Sequence, residues 1–189
     1  MTYPTAGWLS VQESKPMVFI PYTRQAKQSL PDHLRLILGR RIVMDVPVVQ
    51  HRELQPSAAF FPVRLKQTWP NIYKAGPFIA ILTSDGNSTF RGNRKNFIDL
   101  IRMGWRMGVT IFVLTPSGIR PGKSTVRGYI LRPLKTGDHF IPAVLPLPDV
   151  VYNRIPTRDA EMRKEEQRAL QYLGKTLEIP LFNPGFFNK

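Results

Sequence analysis

PFIAILTSDG, residues 77–86, opens the part of the chain whose pattern sets the fold class. It is a short continuous apolar run that ends in turn residues, as is typical of a strand buried on both faces. VTIFVLTP (109–116) repeats this pattern. Between the two runs, Phe97, Ile101 and Trp105 recur at helical spacing, and Gly108 is placed to end the helix. The three segments together predict a βαβ unit with two parallel strands and a right-handed crossover.

The segments that follow extend the predicted sheet. TVRGYIL (125–131) and FIPAVLPLP (140–148) have the composition of antiparallel strands, and DVVYNRI (149–155) and IPLFN (179–183) that of further strands. TRDAEMRKEEQRALQYLGKTL (157–177) predicts one continuous helix, because acidic residues in its first turn complement the helix dipole. We therefore expect an α/β fold with a mostly parallel sheet.

Residues 1–75 have a different pattern, made of short strands and turns. HLRLILGRRIVMDVPVV (33–49) predicts a hairpin, because leucines alternate along its first half and a Gly-Arg pair offers the turn. QTWPNIYKAGP (67–77) contains two prolines and a glycine, and we interpret it as a linker. The chain is accordingly predicted to have two domains: a small β-rich, barrel-like domain over 1–75 and an α/β domain over 76–189.

Charge and composition limit the classes of function. The 189 residues include 27 Lys and Arg against 13 Asp and Glu, a formal net charge of +14, and no cysteine. Without cysteine there are no disulfides and no thiolate chemistry, as expected of a reducing, intracellular location. We expect no signal peptide and no membrane span, because the start lacks a basic segment followed by an apolar one and no long apolar run occurs. The excess of positive charge favours polyanions or acidic partners, but the basic residues are scattered rather than arranged in one block.

Two familiar kinds of site are rejected on spacing. TPSGIRPGKST (115–125) resembles a phosphate-binding loop but has only three residues between Gly118 and Gly122, and the following TVRGYILR is strand-like rather than helical. We predict an exposed loop there. The histidines His33, His51 and His139 are isolated in sequence, so we predict no metal site.

Two stretches qualify as candidate binding loops. Asp85 lies in TSDG (83–86), directly after the first buried strand, where ligands of open α/β sheets commonly bind. The alternative is an ordinary turn that uses Asp85 for its local geometry. Asn153, Arg154 and Arg158 lie in DVVYNRIPTR (149–158), where a strand meets the start of a helix, and arginine there suits a carboxylate or phosphate. The alternative is that Arg154 pairs with an acid of the chain.

PLPDVVYNRIPTRDAE (146–161) and IPLFNPGFFNK (179–189) resemble the YheC/YheD family of endospore coat-associated proteins, members of the ATP-grasp superfamily, and GPFIAIL (76–82) is similar to a strand of that family. The resemblance covers about residues 75–189 well and 1–75 only loosely. It implies a Rossmann-like pre-ATP-grasp domain, which precedes the two lobes that hold ATP and Mg²⁺. ATP-grasp enzymes activate a carboxylate as an acylphosphate and join it to an amine or thiol.

The resemblance also implies which residues face a substrate and which parts lie elsewhere. It makes Asp85, Asn153, Arg154 and Asn183 candidate substrate-binding residues, with Arg158 as an outer anion contact; it assigns no catalytic residue. ATP and Mg²⁺ are expected only in later lobes, so this chain is expected to hold no cofactor and to be inactive in ligation alone, as a fragment or a natural truncation. Its expected partners are those lobes or an acidic spore-coat protein, in the cytoplasm or at the coat. Two alternatives stay open, a basic structural module that docks an acidic coat partner and a non-specific polyanion or nucleic-acid binder.

Overall fold

A computed structural model describes residues 5–12, 15–39, 42–50, 59–134 and 137–183. Within these ranges, strands form two six-stranded sheets, here called sheet A and sheet B, accompanied by four α-helices. The strands of sheet A are β1 Thr5–Gln12, β2 Lys15–Pro21, β3 His33–Leu38, β4 Ile42–Pro47, β5 Ala59–Trp69 and β6 Ile72–Gly76. The strands of sheet B are β7 Phe78–Leu82, β8 Thr110–Leu114, β9 Thr125–Leu134, β10 Gly137–Pro146, β11 Val150–Asn153 and β12 Leu181–Phe182. The helices are α1 Arg24–Gln28, α2 Arg94–Met107, α3 Arg158–Glu161 and α4 Lys164–Gln171.

Sheet A has the strand order β2-β1-β5-β6-β3-β4, and its two edges meet. A parallel bridge joins Phe19 to Val48, and the Val49 amide donates to the Phe19 carbonyl at 2.9 Å. The predicted hairpin is confirmed, since β3 and β4 are antiparallel neighbours. Alternate residues of β3 are buried, as expected of a strand with one face toward a core.

Sheet B has the order β10-β9-β8-β7-β11-β12. The four strands β8, β7, β11 and β12 run parallel to one another, whereas β9 is antiparallel to β8, and β10 is antiparallel to β9. Helix α2 connects β7 to β8, so the predicted βαβ unit is confirmed. The architecture is a mixed α/β fold that is rich in strands and has few helices.

Helix α2 has caps that its sequence provides. The Asn93 side chain accepts a hydrogen bond from the Asn96 amide at 3.0 Å, and Gly108 ends the helix in the left-handed conformation with φ of 66°. Phe97 and Ile101 are buried against the sheet, while Trp105 is half-buried beside the same cluster. The three residues that were predicted to face the sheet therefore do so, although Trp105 is only partly buried.

The two sheets share one hydrophobic core. A single cluster of buried residues contains side chains from both sheets, and the rings of Phe61 in β5 and Phe78 in β7 pack edge to face at a centroid distance of 5.9 Å. The Thr110 hydroxyl at the start of β8 donates to the carbonyl of Pro62 in β5. The chain passes from sheet A to sheet B between Gly76 and Phe78. The division into domains at residues 75 and 76 stays a prediction.

The interpretation of residues 67–77 as a linker is wrong. Strand β5 continues to Trp69, and β6 returns antiparallel to it from Ile72. Asn71 takes the left-handed conformation with φ of 61°, and the Thr68 hydroxyl donates to the Ile72 carbonyl at 3.2 Å. Pro and Asn are as well suited to a hairpin turn as to a linker, so the composition of residues 67–77 could not distinguish the two structures.

The single helix predicted over 157–177 is also wrong. Arg163 has an extended backbone that separates α3 from α4, and a π-helical turn, Tyr172–Thr176, follows α4. The Gln167 side-chain amide donates to the Glu161 carbonyl at 2.8 Å, so a side chain satisfies a backbone group at the break. Within the described ranges, none of the helices combines the length and apolarity needed to cross a bilayer.

Candidate functional site

The carboxyl ends of the four parallel strands of sheet B lie along one edge, which is called here the carboxyl edge. Register pairs Leu82 with Leu114 on one side and with Asn153 on the other, and β12 continues the row. The chain leaves β7 toward β8 and leaves β11 toward β12, so the two connections diverge between β7 and β11. Ligands of open α/β sheets commonly bind where connections diverge in this way.

Asp85 joins two loops of the carboxyl edge. Its carboxylate accepts hydrogen bonds from the Ser117 amide at 3.1 Å and from the Ser117 hydroxyl, so the loop after β7 is tied to the loop after β8. Asp85 is half-buried and has no basic partner among the described residues. Its carboxylate therefore holds the two loops together at the carboxyl edge.

Asn153 is held inside the protein. It is only 3% exposed, its side-chain amide donates to the Glu161 carboxylate, and its side-chain oxygen Oδ1 accepts from the Ile155 amide at 3.2 Å. These contacts fix the turn that leads from β11 to α3. The structure thus places Asn153 at the predicted edge, but beneath the surface rather than in an open loop.

Asn183 follows β12 and bonds back to the neighbouring strand. Its side-chain amide donates to the Asn153 carbonyl at 3.1 Å, and its backbone is left-handed with φ of 52°. Asparagine tolerates this conformation better than most residues. The sequence correctly brought Asp85, Asn153 and Asn183 to one edge, because parallel strands end together.

Arg154 and Arg158 lie on opposite sides of sheet B. The Arg154 guanidinium lies 5.5 Å from the centroid of the Tyr152 ring, on the side of the sheet that α2 covers. In the part of the chain that the structure describes, it forms no ion pair. Arg158 begins α3 on the other side, where with Glu161, Gln167 and Lys175 it borders a cavity of about 650 Å³. The two arginines therefore belong to different surfaces.

A second cavity, of about 410 Å³, lies where the sequence predicted an exposed loop. It separates the turn at Pro116–Gly118 from α4, and it is lined mainly by apolar groups with Arg168 and Glu165 at its border. The Tyr172 hydroxyl accepts from the Gly122 amide at 3.0 Å and so fixes the loop over α4. The prolines and glycines of residues 115–125 indicated a loop in the sequence, but nothing in the sequence indicated which helix would face that loop. Neither cavity is lined by Asp85, Asn153 or Asn183.

The described ranges contain no candidate metal site. No group of three or more histidine, aspartate or glutamate side chains there is arranged to hold an ion. His33 pairs with Asp45 at 3.1 Å on the surface of sheet A. His51, which the sequence analysis also considered, lies outside the described residues.

Fold and edge together define a strand-rich mixed α/β protein with polar loops at the carboxyl ends of a parallel sheet. No family model matches the chain. The chain is similar to Endospore coat-associated protein YheD of Bacillus subtilis (strain 168), with 29% identity over 118 residues, 60% of this chain. It spans 25% of the length of that relative. The match confirms the resemblance to YheC/YheD-like proteins that the motifs predicted.

Proposed function

We propose that this chain is the substrate-side region of an endospore coat-associated, YheC/YheD-like ATP-grasp protein, and that ATP and Mg²⁺ are held by lobes outside it. The observation that carries the proposal is the similarity to the coat-associated relative, which extends over most of this chain but only a quarter of the relative. In this proposal sheet B is the core of a Rossmann-like pre-ATP-grasp domain.

The carboxyl edge supports this role through its charges. Asp85 supplies a carboxylate without a basic partner among the described residues, and such a group suits the ammonium of an amine substrate. Arg154 supplies a guanidinium at the border of the same edge, suited to a carboxylate. Asn153 acts from below by holding the turn, and Asn183 follows β12 at the outer end of the edge, whereas Arg158 lies on the other side of sheet B.

Calorimetric titration with Mg²⁺ and ATP at physiological salt tests the proposal directly. We expect no saturable heat from this chain. The amide NMR signals of Asp85 and Asn183 are instead expected to shift when small amino acids are added, because the polar groups of the carboxyl edge are in contact with the solution that contains them. Saturable ATP binding that Arg154→Ala abolishes, and that Arg127→Ala on the exposed face of β9 leaves intact, would contradict the proposal.

A second candidate function is a basic module that docks an acidic coat partner. The net charge of +14 favours it, because such an excess attracts acidic surfaces and repels further copies of the same chain. Binding to an acidic protein should weaken as salt is added from low to moderate concentration, since the attraction is screened. Equal binding of an acidic and a basic protein of the same size would exclude this function.

A further inference from the structure

On the side of sheet B where α2 packs, β11 and β12 lie outside the buried cluster that the described residues of α2 form with the sheet. Register places Tyr152 beside Ile81 and Phe182 beside Tyr152, so these side chains share the face on which Ile81 meets α2. Val150 and Ile79 form the next row of the same face. Neither of the two buried clusters of the described chain includes Ile79, Val150, Tyr152 or Phe182; Phe182 is 61% exposed, and the other three side chains are half-buried. These four residues are called here the open half-face.

Helix α2 supplies a wall along the open half-face. Arg102 reaches Asp138 of β10 at 2.6 Å, so that flank of α2 faces the antiparallel strands. Met103 and Met107 are 51% and 55% exposed, and helical spacing puts them on the opposite flank, which the strand order directs toward β11. Methionine side chains adapt to varied partners and are common at binding surfaces. The open half-face and the two methionines form an apolar corner between a sheet and a helix.

The dimensions of this corner fit one helix. Neighbouring strands are about 4.8 Å apart, so β11 and β12 offer a strip about 10 Å wide. An α-helix with its side chains is about 10 Å across. Parallel sheets are normally covered by helices on both faces, so a pair of strands that no described helix covers beside α2 is unusual. A second helix lying next to α2 would complete the layer.

The charged residues beside the apolar corner indicate which kind of helix would bind there. Arg154 stacks on Tyr152 at one end of the corner, and Arg106 is exposed one turn after Met103 on α2. Neither arginine forms an ion pair with the residues that the structure describes. A second copy of this chain would bring another +14 to the contact, whereas glutamates on a partner helix would pair with both arginines.

We propose that the open half-face and the methionine flank of α2 bind an amphipathic helix of a partner protein, with an apolar face against the sheet and acidic residues along its borders. The inference names the surface for the second candidate function and rests on it. It commits to a foreign acidic helix rather than to a second copy of the chain.

Fluorescence anisotropy with two synthetic peptides tests the proposal. Both peptides have leucines on one helical face; one has glutamates and the other lysines on its borders. We expect the glutamate peptide to bind and the lysine peptide not to bind. Phe182→Glu should weaken binding of the glutamate peptide by about tenfold or more, as removal of a central interface aromatic does. Val43→Glu is the matched control, because Val43 is 54% exposed on β4 of sheet A and should leave binding unchanged.

Each other outcome overturns a defined part of the proposal. Glutamate-peptide binding that Phe182→Glu does not change would place the docking surface elsewhere while leaving the second candidate function standing. If neither peptide binds at low salt, the proposed docking surface is wrong. If acidic proteins also fail to bind, the second candidate function is wrong as well. Sedimentation showing a dimer that Phe182→Glu dissociates would make the occupant a second copy. Far-UV circular dichroism of each variant verifies that it is folded.

Discussion

Phe78→Ala is expected to lower the free energy of unfolding by about 3–5 kcal/mol, the range found for removal of a fully buried phenylalanine ring. Phe78 is 0% exposed and begins β7 immediately after the chain leaves sheet A. Its ring packs edge to face against Phe61 of β5, with an interplanar angle of 75°. The substitution would therefore open a cavity where the two sheets meet.

Urea denaturation followed by circular dichroism and tryptophan fluorescence measures this effect. Trp8 lies in sheet A and Trp105 in α2 beside sheet B, so single-tryptophan variants report on each sheet separately. We expect one shared transition that moves to lower urea in Phe78→Ala, because the buried cluster is continuous across the sheets. Phe182→Ala is the control, and its effect should be small because that ring is 61% exposed. A loss below about 1 kcal/mol in Phe78→Ala would show that this packing is unimportant.

Asn153→Ala is expected to lower the free energy of unfolding by about 3 kcal/mol, because a buried charged group loses a hydrogen-bond donor. Asn153 donates to the Glu161 carboxylate, which is 6% exposed, and accepts from the Ile155 amide. Alanine removes both of these contacts, so the turn between β11 and α3 keeps only the hydrogen bonds that its other groups form, such as that from the Arg154 amide to the Leu82 carbonyl. Thermal and urea denaturation of the variant measure the loss.

Asn183→Ala is the matched control for this prediction. Asn183 is exposed, and its side chain makes a single described contact, to the Asn153 carbonyl at 3.1 Å. Its removal should cost below about 1 kcal/mol. If Asn153→Ala is as stable as the parent but changes the NMR response to amino acids, Asn153 contacts a ligand directly and the structural role is wrong. If both variants are as stable as the parent and give the same NMR response to amino acids, neither residue supports the structure of the carboxyl edge or binds a ligand there.

The sequence predicted well where one local pattern had one structural meaning. The apolar runs before Asp85 and before Pro116 are short and end in turn residues, which is typical of buried strands, and Phe97, Ile101 and Gly108 marked a helix with its end. Prediction failed where a local pattern is compatible with two structures. Pro70 and Asn71 suit a linker or a hairpin turn equally, and only pairing between β5 and β6 selected the turn.

The candidate site shows the same division. Asp85, Asn153 and Asn183 could be assigned to one edge from their positions after parallel strands. Whether each side chain faces solvent depended on contacts from distant parts of the chain, such as Ser117 for Asp85 and Glu161 for Asn153. The separation of Arg154 from Arg158 followed from the alternation of side chains along β11 and from the start of α3 at Arg158.

By itself, the sequence determined the α/β class, the βαβ unit, the basic character and the similarity to a coat-associated relative, because these depend on local periodicity, composition and contiguous motifs. Only the tertiary structure decided that sheet A closes on itself, that both sheets share one core, and that the described residues leave half of sheet B open beside α2. Those features arise from pairing and packing between residues far apart in the chain. Loop closure and register set such contacts, and no window of neighbouring residues encodes them.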